Sequence, residues 1–233
     1  ALHNIQFTLK QGETLGIVGK TGSGKTAILK LLMREFEGYR GTIMYGDHSI
    51  VAYKKRALRE AIGYVPQDHF LFSTTVAGNI AFANADATMD EIYEAARLAN
   101  IHEDILQFTD GYNTIVGERG VSLSGGQKQR ISIARALMMK PELLILDDSL
   151  SAVDARTEEA ILESLKKSRT DETTIITSHR LSAIAHAHQI IVMDEGTIKE
   201  KGTHEELMEL KGMYYEMYQL QQLENLVEKG RDV

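Results

Sequence analysis

Two stretches of the chain gather residue types that handle phosphates and divalent cations, and a third sets a histidine at a strand end near them. Gly19-Lys20-Thr21-Gly22-Ser23-Gly24-Lys25-Thr26 completes the form GxxxxGK[ST]. Its glycines let the backbone curl until successive N–H groups and the start of a following helix face one anion. Lys25 is then placed to hold β- and γ-phosphates, and Thr26 to ligate Mg²⁺. The apolar run 143–146 stops at two acids, Asp147 and Asp148. Charges at the end of a buried strand are costly unless they meet a cation or donors, so an ion is expected there. Asp147 fits the Mg²⁺ position, and Asp148 stands where a carboxylate would activate water. The third stretch is Ser178-His179-Arg180, at a strand end near the proposed site. The other histidines, His3, His48, His69, His102, His186, His188 and His204, read as merely solvated. His186 and His188 form a lone HxH without further ligands, too little for a metal site.

Positioning these residues takes a strand before each motif. Residues 14–18 form a short apolar strand, the glycine-rich turn follows, and Ile28, Leu29, Leu31 and Leu32 give the next helix its apolar face. An edge hairpin is expected around 41–45, and a strand over 62–65 closed by Pro66. From 73 to 138 the pattern is almost wholly helical, with amphipathic segments near 75–82, 89–99 and 125–138. That stretch reads as an inserted helical lobe. Alternation then returns: strand 143–146, helix 157–166, strand 173–177, helix 181–185 and strand 189–193. Strands alternating with helices predict an α/β fold, a parallel sheet covered on both faces. Residues 213–226, with Tyr214, Tyr215, Tyr218 and Leu223, read as a helix packing on the core or on a partner.

Composition narrows the classes further. At 233 residues one domain with sub-domains is the expectation. Cysteine is absent, which excludes disulfides, thiolate metal sites and a cysteine nucleophile, and which fits a cytosolic setting. A net charge of −7 opposes a nucleic-acid partner, which needs a basic face. The longest apolar runs are strand-length, far short of the roughly 20 residues that cross a bilayer. The chain opens on Ala1 without the pattern of a signal peptide. It reads as a soluble, internal piece of something longer.

To this point the residues describe a P-loop NTPase. Leu123-Ser124-Gly125-Gly126-Gln127, followed by a helix, resembles the signature of ABC ATPases. The physics repeats that of the phosphate loop: a hydroxyl, glycine N–H groups and a positive helix end aimed at an anion. Other motifs of the family stand in its order. Gln67 in Tyr64-Val65-Pro66-Gln67 resembles the Q-loop glutamine that senses Mg²⁺ and the transmembrane domain. Ser151-Ala152-Val153-Asp154 is similar to the D-loop, and His179 to the switch histidine that contacts the γ-phosphate. Residues 114–120 resemble the X-loop of exporters, and residues 67–80 the groove that receives a coupling helix.

The resemblance covers essentially the whole chain and implies an ATP-hydrolysing motor domain of an exporter, with ATP and Mg²⁺ as cofactors. It implies a RecA-like core over 1–72 and 139–233 carrying a small antiparallel β subdomain, and a helical signature subdomain over 73–138. Partners would be transmembrane domains, reached through coupling helices at the cytoplasmic face of a membrane, and a second such domain met head to tail. In that arrangement each signature, here Ser124, Gly125, Gly126 and Gln127, caps the other's P-loop. A nucleotide-gated regulatory module, or a soluble ABC protein, remains an alternative.

Two departures from the family matter. Its adenine-stacking aromatic lies upstream of the P-loop, and this chain begins only 18 residues before Gly19, so that aromatic is expected ahead of Ala1. Asp148 replaces the usual Glu, which pulls the carboxylate back by roughly 1.5 Å, one C–C bond. Misplacement of that order costs about a hundredfold in rate. An intact signature beside a shortened base resembles one half of the heterodimeric bacterial multidrug exporters, in which one composite site is degenerate.

Overall fold

A computed structural model describes residues 1–117 and 121–231. The strands β1 (Thr14–Gly19), β4 (Ile62–Val65), β5 (Leu143–Asp147), β6 (Thr173–Thr177), β7 (Gln189–Asp194) and β8 (Thr197–Gly202) form one sheet in the order β4-β5-β6-β1-β7-β8. The first five run parallel, and β8 returns antiparallel at the edge. β5 is buried at all five positions, as a strand covered on both faces must be. A two-stranded sheet, β2 (Met44–Tyr45) with β3 (His48–Ser49), lies apart. This hairpin sits a few residues after the expected 41–45. Gly46, at φ +58°, and Asp47 make its two-residue turn.

The helices are α1 (Lys25–Leu32), α2 (Lys55–Glu60), α3 (Val76–Ile80), α4 (Met89–Leu98), α5 (His102–Leu106), α6 (Gly125–Leu137), α7 (Ala155–Ser168), α8 (His204–Leu210) and α9 (Met213–Arg231). Between 73 and 138 the chain is less uniformly helical than its periodicity suggests. Bridges join Thr75 to Ile115 and Val116 to Val121. The expected helix at 181–185 is a single 3-10 turn, Leu181–Ala183. Two apolar clusters flank the sheet. One joins Leu144, Leu146, Ile176 and Val192 to Ile131 and Ile133 of α6 and Ile92 of α4. The other packs Ile17, Ile145, Ile175 and Ile191 on Ile28 and Leu29 of α1. Alternate residues of each strand feed opposite clusters, which is how a central strand holds two layers of helices.

Candidate active site

Four neighbouring strands each end in one of the motifs. Gln67 follows β4, Asp147 and Asp148 close β5, His179 follows β6, and the Gly19–Thr26 loop follows β1. Parallel strands present their carboxyl ends on one edge, so segments far apart in sequence converge there. The register aligns Thr177 with Asp147 and with Ile17, which sets the acidic pair beside the glycine loop.

α1 begins without a cap. Gly24 stands before it at φ +106°, no side chain caps its N–H groups, and its first turn holds no acid. By contrast α4, α6 and α8 open with capping boxes on Thr88, Ser124 and Thr203, and Asp154 caps α7. An anion at this helix start would supply what α1 lacks. Gly19 cannot be anything larger, since a Cβ there would lie 2.2 Å from the Met193 carbonyl oxygen, whereas at Gly22 it would meet open space. Lys20 and Thr21 are exposed along the loop, and Ser23 is buried with its hydroxyl unpartnered.

Lys25 is buried, and among the described residues its ammonium is held only by the carbonyls of Gly19 at 2.7 Å and Lys20 at 3.1 Å. Burial pushes its pKa below the ordinary lysine value, against the opposing pull of Asp148 and Asp147. A cation so poorly solvated gains most from an anionic ligand placed between it and the helix start. Asp147, 3% exposed, is ringed by hydroxyl donors: Thr177 Oγ1 at 2.7 Å and Thr26 Oγ1 at 3.3 Å on Oδ1, and Tyr64 OH at 3.0 Å on Oδ2. Burial, then the Asp147 charge and hydrogen bond, push the Tyr64 phenol well above its ordinary pKa, so it stays a donor. The pair Thr26 and Asp147 suits a hard cation with oxygen ligands. Among the described residues no group of three or more His, Cys, Asp or Glu forms an all-protein metal cage. That fits Mg²⁺, which usually takes one or two carboxylates together with substrate phosphates.

Asp148 adopts φ +49°, a left-handed conformation that Asp tolerates better than most residues. Its N–H donates to Thr177 O and Oγ1, both at 3.0 Å, and its Oδ2 accepts from Gln67 Nε2 at 3.4 Å. Gln67 and His179 are exposed. The signature lies elsewhere on the chain. Ser124 caps α6, with its hydroxyl accepting the Gln127 N–H at 3.2 Å and its own N–H donating to Gln127 Oε1 at 3.0 Å. That leaves the Ser124 O–H free to donate. Ser124 and Gly125 are exposed, while a Cβ at Gly126 would stand 2.9 Å from the Ala152 carbonyl oxygen. Among the described residues, no hydrogen bond joins 124–127 to 19–26.

Several participants escape sequence reasoning. Besides Tyr64 and Thr177, Gln129 of α6 is fully buried, accepts the Ala152 N–H at 3.0 Å and meets His69 Nε2 at 3.1 Å. Asp104 of α5 pairs with Arg130 at 2.8 Å and accepts from Gln127 Nε2 at 3.4 Å, bracing the signature from behind. Three histidines expected to be solvated are half-buried and bonded: His69 as above, His102 to Tyr112 OH at 2.7 Å, and His204 to Tyr214 OH at 2.8 Å. Exposed His188 accepts the Thr14 N–H at 2.9 Å. Of the exporter-like loops, residues 118–120 of the 114–120 stretch lie outside the described residues.

A family model described as ABC transporter matches residues 2–151. The chain is 52% identical over 229 residues to the "Probable multidrug resistance ABC transporter ATP-binding/permease protein YheI" of Bacillus subtilis (strain 168), a match covering 98% of this chain and 39% of that protein. It is 51% identical over 224 residues to the "Multidrug resistance-like ATP-binding protein MdlA" of Escherichia coli (strain K12), covering 96% and 38%. A solved structure, "Structure of a bacterial Atm1-family ABC exporter with ATP bound", superposes with a TM-score of 0.91 at 41% identity, over 94% of this chain and 39% of that one. The chain thus spans about two fifths of the length of these relatives. On this match of the family model and these identities, the chain, with its uncapped phosphate loop and donor-ringed acid, belongs to the ABC transporter family as an ATP-binding domain, and such domains are ATPases.

Proposed function

We propose that this domain binds Mg²⁺-ATP at residues 19–26 and powers efflux of hydrophobic, drug-like compounds, as the weakly hydrolytic half of a heterodimer. The convergence of four strand ends on one edge carries the reading. Lys25 and the first-turn N–H groups of α1 would take the phosphates, and Thr26 and Asp147 the Mg²⁺, with Gln67 beside them. Asp148 would orient water and His179 would contact the γ-phosphate. Magnesium supplies charge neutralisation on the phosphate oxygens. The chain's own groups fix the nucleotide, exclude water beneath Lys25 and hold Asp148 by its main chain.

Three further features support the partners. Ser124 and Gly125 are exposed and unconnected to the P-loop, as a signature serving another subunit's nucleotide would be. The 67–82 segment presents Phe70 and Phe82, 63% and 56% exposed. Phe72 stacks on Phe82 at 4.0 Å, and Arg135 lies 5.3 Å over Phe72 while binding buried Asn79 at 2.7 Å. An aromatic surface on a braced frame suits a coupling helix. Among the described residues no helix is long and apolar enough to cross a membrane, so such a helix would come from another domain.

Calorimetric titration of the chain with ATP and Mg²⁺ tests the site. Lys25→Ala is expected to weaken binding roughly ten- to a hundredfold, the worth of hydrogen bonds to a charged group. Equal affinity in the variant would place the nucleotide elsewhere. Asp148 equally favours a second reading, a nucleotide-gated module without productive hydrolysis. Phosphate release with and without a partner domain carrying Glu at the equivalent place separates the two.

A further inference from the structure

α9 reaches the site through one side chain. Its start is anchored where the Met213 and Tyr214 N–H groups donate to Glu200 at 2.6 and 3.0 Å, and Tyr214 is fully buried. About two turns later, Gln221 meets the loop after β6. Its Oε1 accepts the Leu181 N–H at 2.9 Å, and its Nε2 donates to the His179 carbonyl. One amide therefore grips the two backbone groups on either side of Arg180. Two contacts from a planar group fix the orientation of that segment as well as its position.

The loop needs this grip. Leu181 opens the 3-10 turn, and Arg180 before it offers no side-chain cap. First N–H groups of a helical turn lack internal partners, so Gln221 supplies the acceptor from outside. The other side of the loop is tied by Arg180, which donates to the carbonyls of Val153 at 2.7 Å and Ser151 at 3.0 Å. The Arg180 N–H donates to Ser178 Oγ at 2.9 Å. The main chain of His179 is thus held between the D-loop and α9, while its imidazole stays exposed. Gln221 is itself only half-buried, so core packing does not explain its contacts.

We propose that Gln221 is a positioning residue for His179, setting the main chain from which the imidazole is presented to a bound nucleotide, and that α9 thereby forms part of the ATP site. The inference rests on His179 as the γ-phosphate contact.

Amide exchange and backbone resonances of the nucleotide-free chain are compared for the unaltered protein, Gln221→Ala and Gln221→Glu. In Gln221→Ala the Leu181 N–H exchanges about tenfold faster, the loss of one net hydrogen bond, and the His179 and Arg180 resonances shift. Gln221→Glu keeps the acceptor and loses the donor, so Leu181 stays protected while His179 shifts. With Mg²⁺-ATP, kcat falls about tenfold in Gln221→Ala, as expected for a misplaced contact, and KM holds because residues 19–26 are untouched. Gln221→Glu falls between. A merely structural residue would lower the thermal midpoint and leave kcat of the folded protein unchanged. Unchanged Leu181 exchange in Gln221→Ala overturns the clamp, and faster exchange with unchanged kcat overturns the positioning role. Failure of the underlying ATP reading shows in the unaltered chain, as absence of Mg²⁺-ATP binding. Failure of the present one shows only in the variants.

Discussion

Lengthening Asp148 by one methylene should make this domain a faster and slightly less stable enzyme. The Asp148 main chain is immobilised by four bonds: its N–H to Thr177 O and Oγ1, each at 3.0 Å, and its carbonyl from Ser151 Oγ at 2.9 Å and the Ser151 N–H at 3.5 Å. With the backbone fixed, side-chain reach is the free variable, and Asp148→Glu moves the carboxylate outward by roughly 1.5 Å. Among the described residues the only side chain bonded to it is Gln67, exposed and 3.4 Å away, which can yield. Restoring the reach should raise hydrolysis by up to about a hundredfold, or about 2.7 kcal/mol of barrier. The cost comes from φ +49°. A short polar side chain suits the left-handed region and Glu does not, at about 1 kcal/mol. In a domain of this size that lowers the thermal midpoint by about 2–4 °C. The assay is phosphate release at saturating Mg²⁺-ATP in a dimer carrying the substitution, beside a melting curve, with Asp148→Asn as the control that should remove this domain's share of the turnover. A dimer whose turnover ignores both substitutions would refute Asp148 as the group that orients water.

Removing one of the donors around Asp147 should be felt most in the empty domain. Tyr64→Phe leaves Asp147 Oδ2 without its 3.0 Å partner, a loss of about 1–3 kcal/mol for a buried acceptor, and Mg²⁺-ATP should shrink that deficit by giving the oxygen a cation. Equal melting deficits with and without Mg²⁺-ATP would contradict the placement of the ion. Asp104 supplies a pH signature. Burial works to raise its pKa but is outweighed by the hydrogen bond and charge of Arg130, and by Gln127, so it lies below the ordinary carboxylate value. A depressed folded pKa gives stability that is complete above the unfolded value, about 3.9, and lost as pH falls through the folded one. Asp104→Asn should therefore melt lower than the unaltered chain at pH 7, with the gap closing as pH falls below the ordinary carboxylate value, and a gap that stays constant on acidification would exclude this pair as its source.

The parallel strands and the glycine loop are legible because each rests on local periodicity or on a motif that fits one conformation. Elements with a single apolar residue are not. β8, Thr197-Ile-Lys-Glu-Lys-Gly202, is an edge strand that needs no apolar run. Its signal lay in the turn before it, where Glu195 and Gly196 both take positive φ, +47° and +75°, as a two-residue hairpin loop requires. α8 likewise goes unread above, although Thr203 and Glu206 form a capping box, a pattern that marks a helix start. The site divides in the same way. Lys25, Thr26 and Asp147 are marked by their neighbours in sequence. Tyr64 and Gln221 act across 83 and about 40 positions, through side chains whose local sequence is that of any strand or surface helix.

Those long-range contacts share a logic that spacing cannot reveal. Since Gln129 Oε1 takes the Ala152 N–H, its Nε2 must donate, and the facing Nε2 of His69 must accept. His69 is then neutral with its proton on Nδ1, in keeping with burial that pushes it below the ordinary histidine value. Arg180 continues the chain of contacts from the same D-loop, through the Ser151 and Val153 carbonyls, to the loop that Gln221 holds. Ala152, Ser151, Val153, His179 and Leu181 are all held by main-chain atoms. A displacement of the segment bearing His69 must therefore either break the amide of a fully buried glutamine or carry the D-loop with it. Breaking leaves buried polar groups unpaired at about 1–3 kcal/mol each, whereas a rigid shift of a loop costs no bond. Gln129, Arg180 and Gln221 thus tie the segments bearing His69, Ser151–Val153 and His179 into one continuous set of contacts.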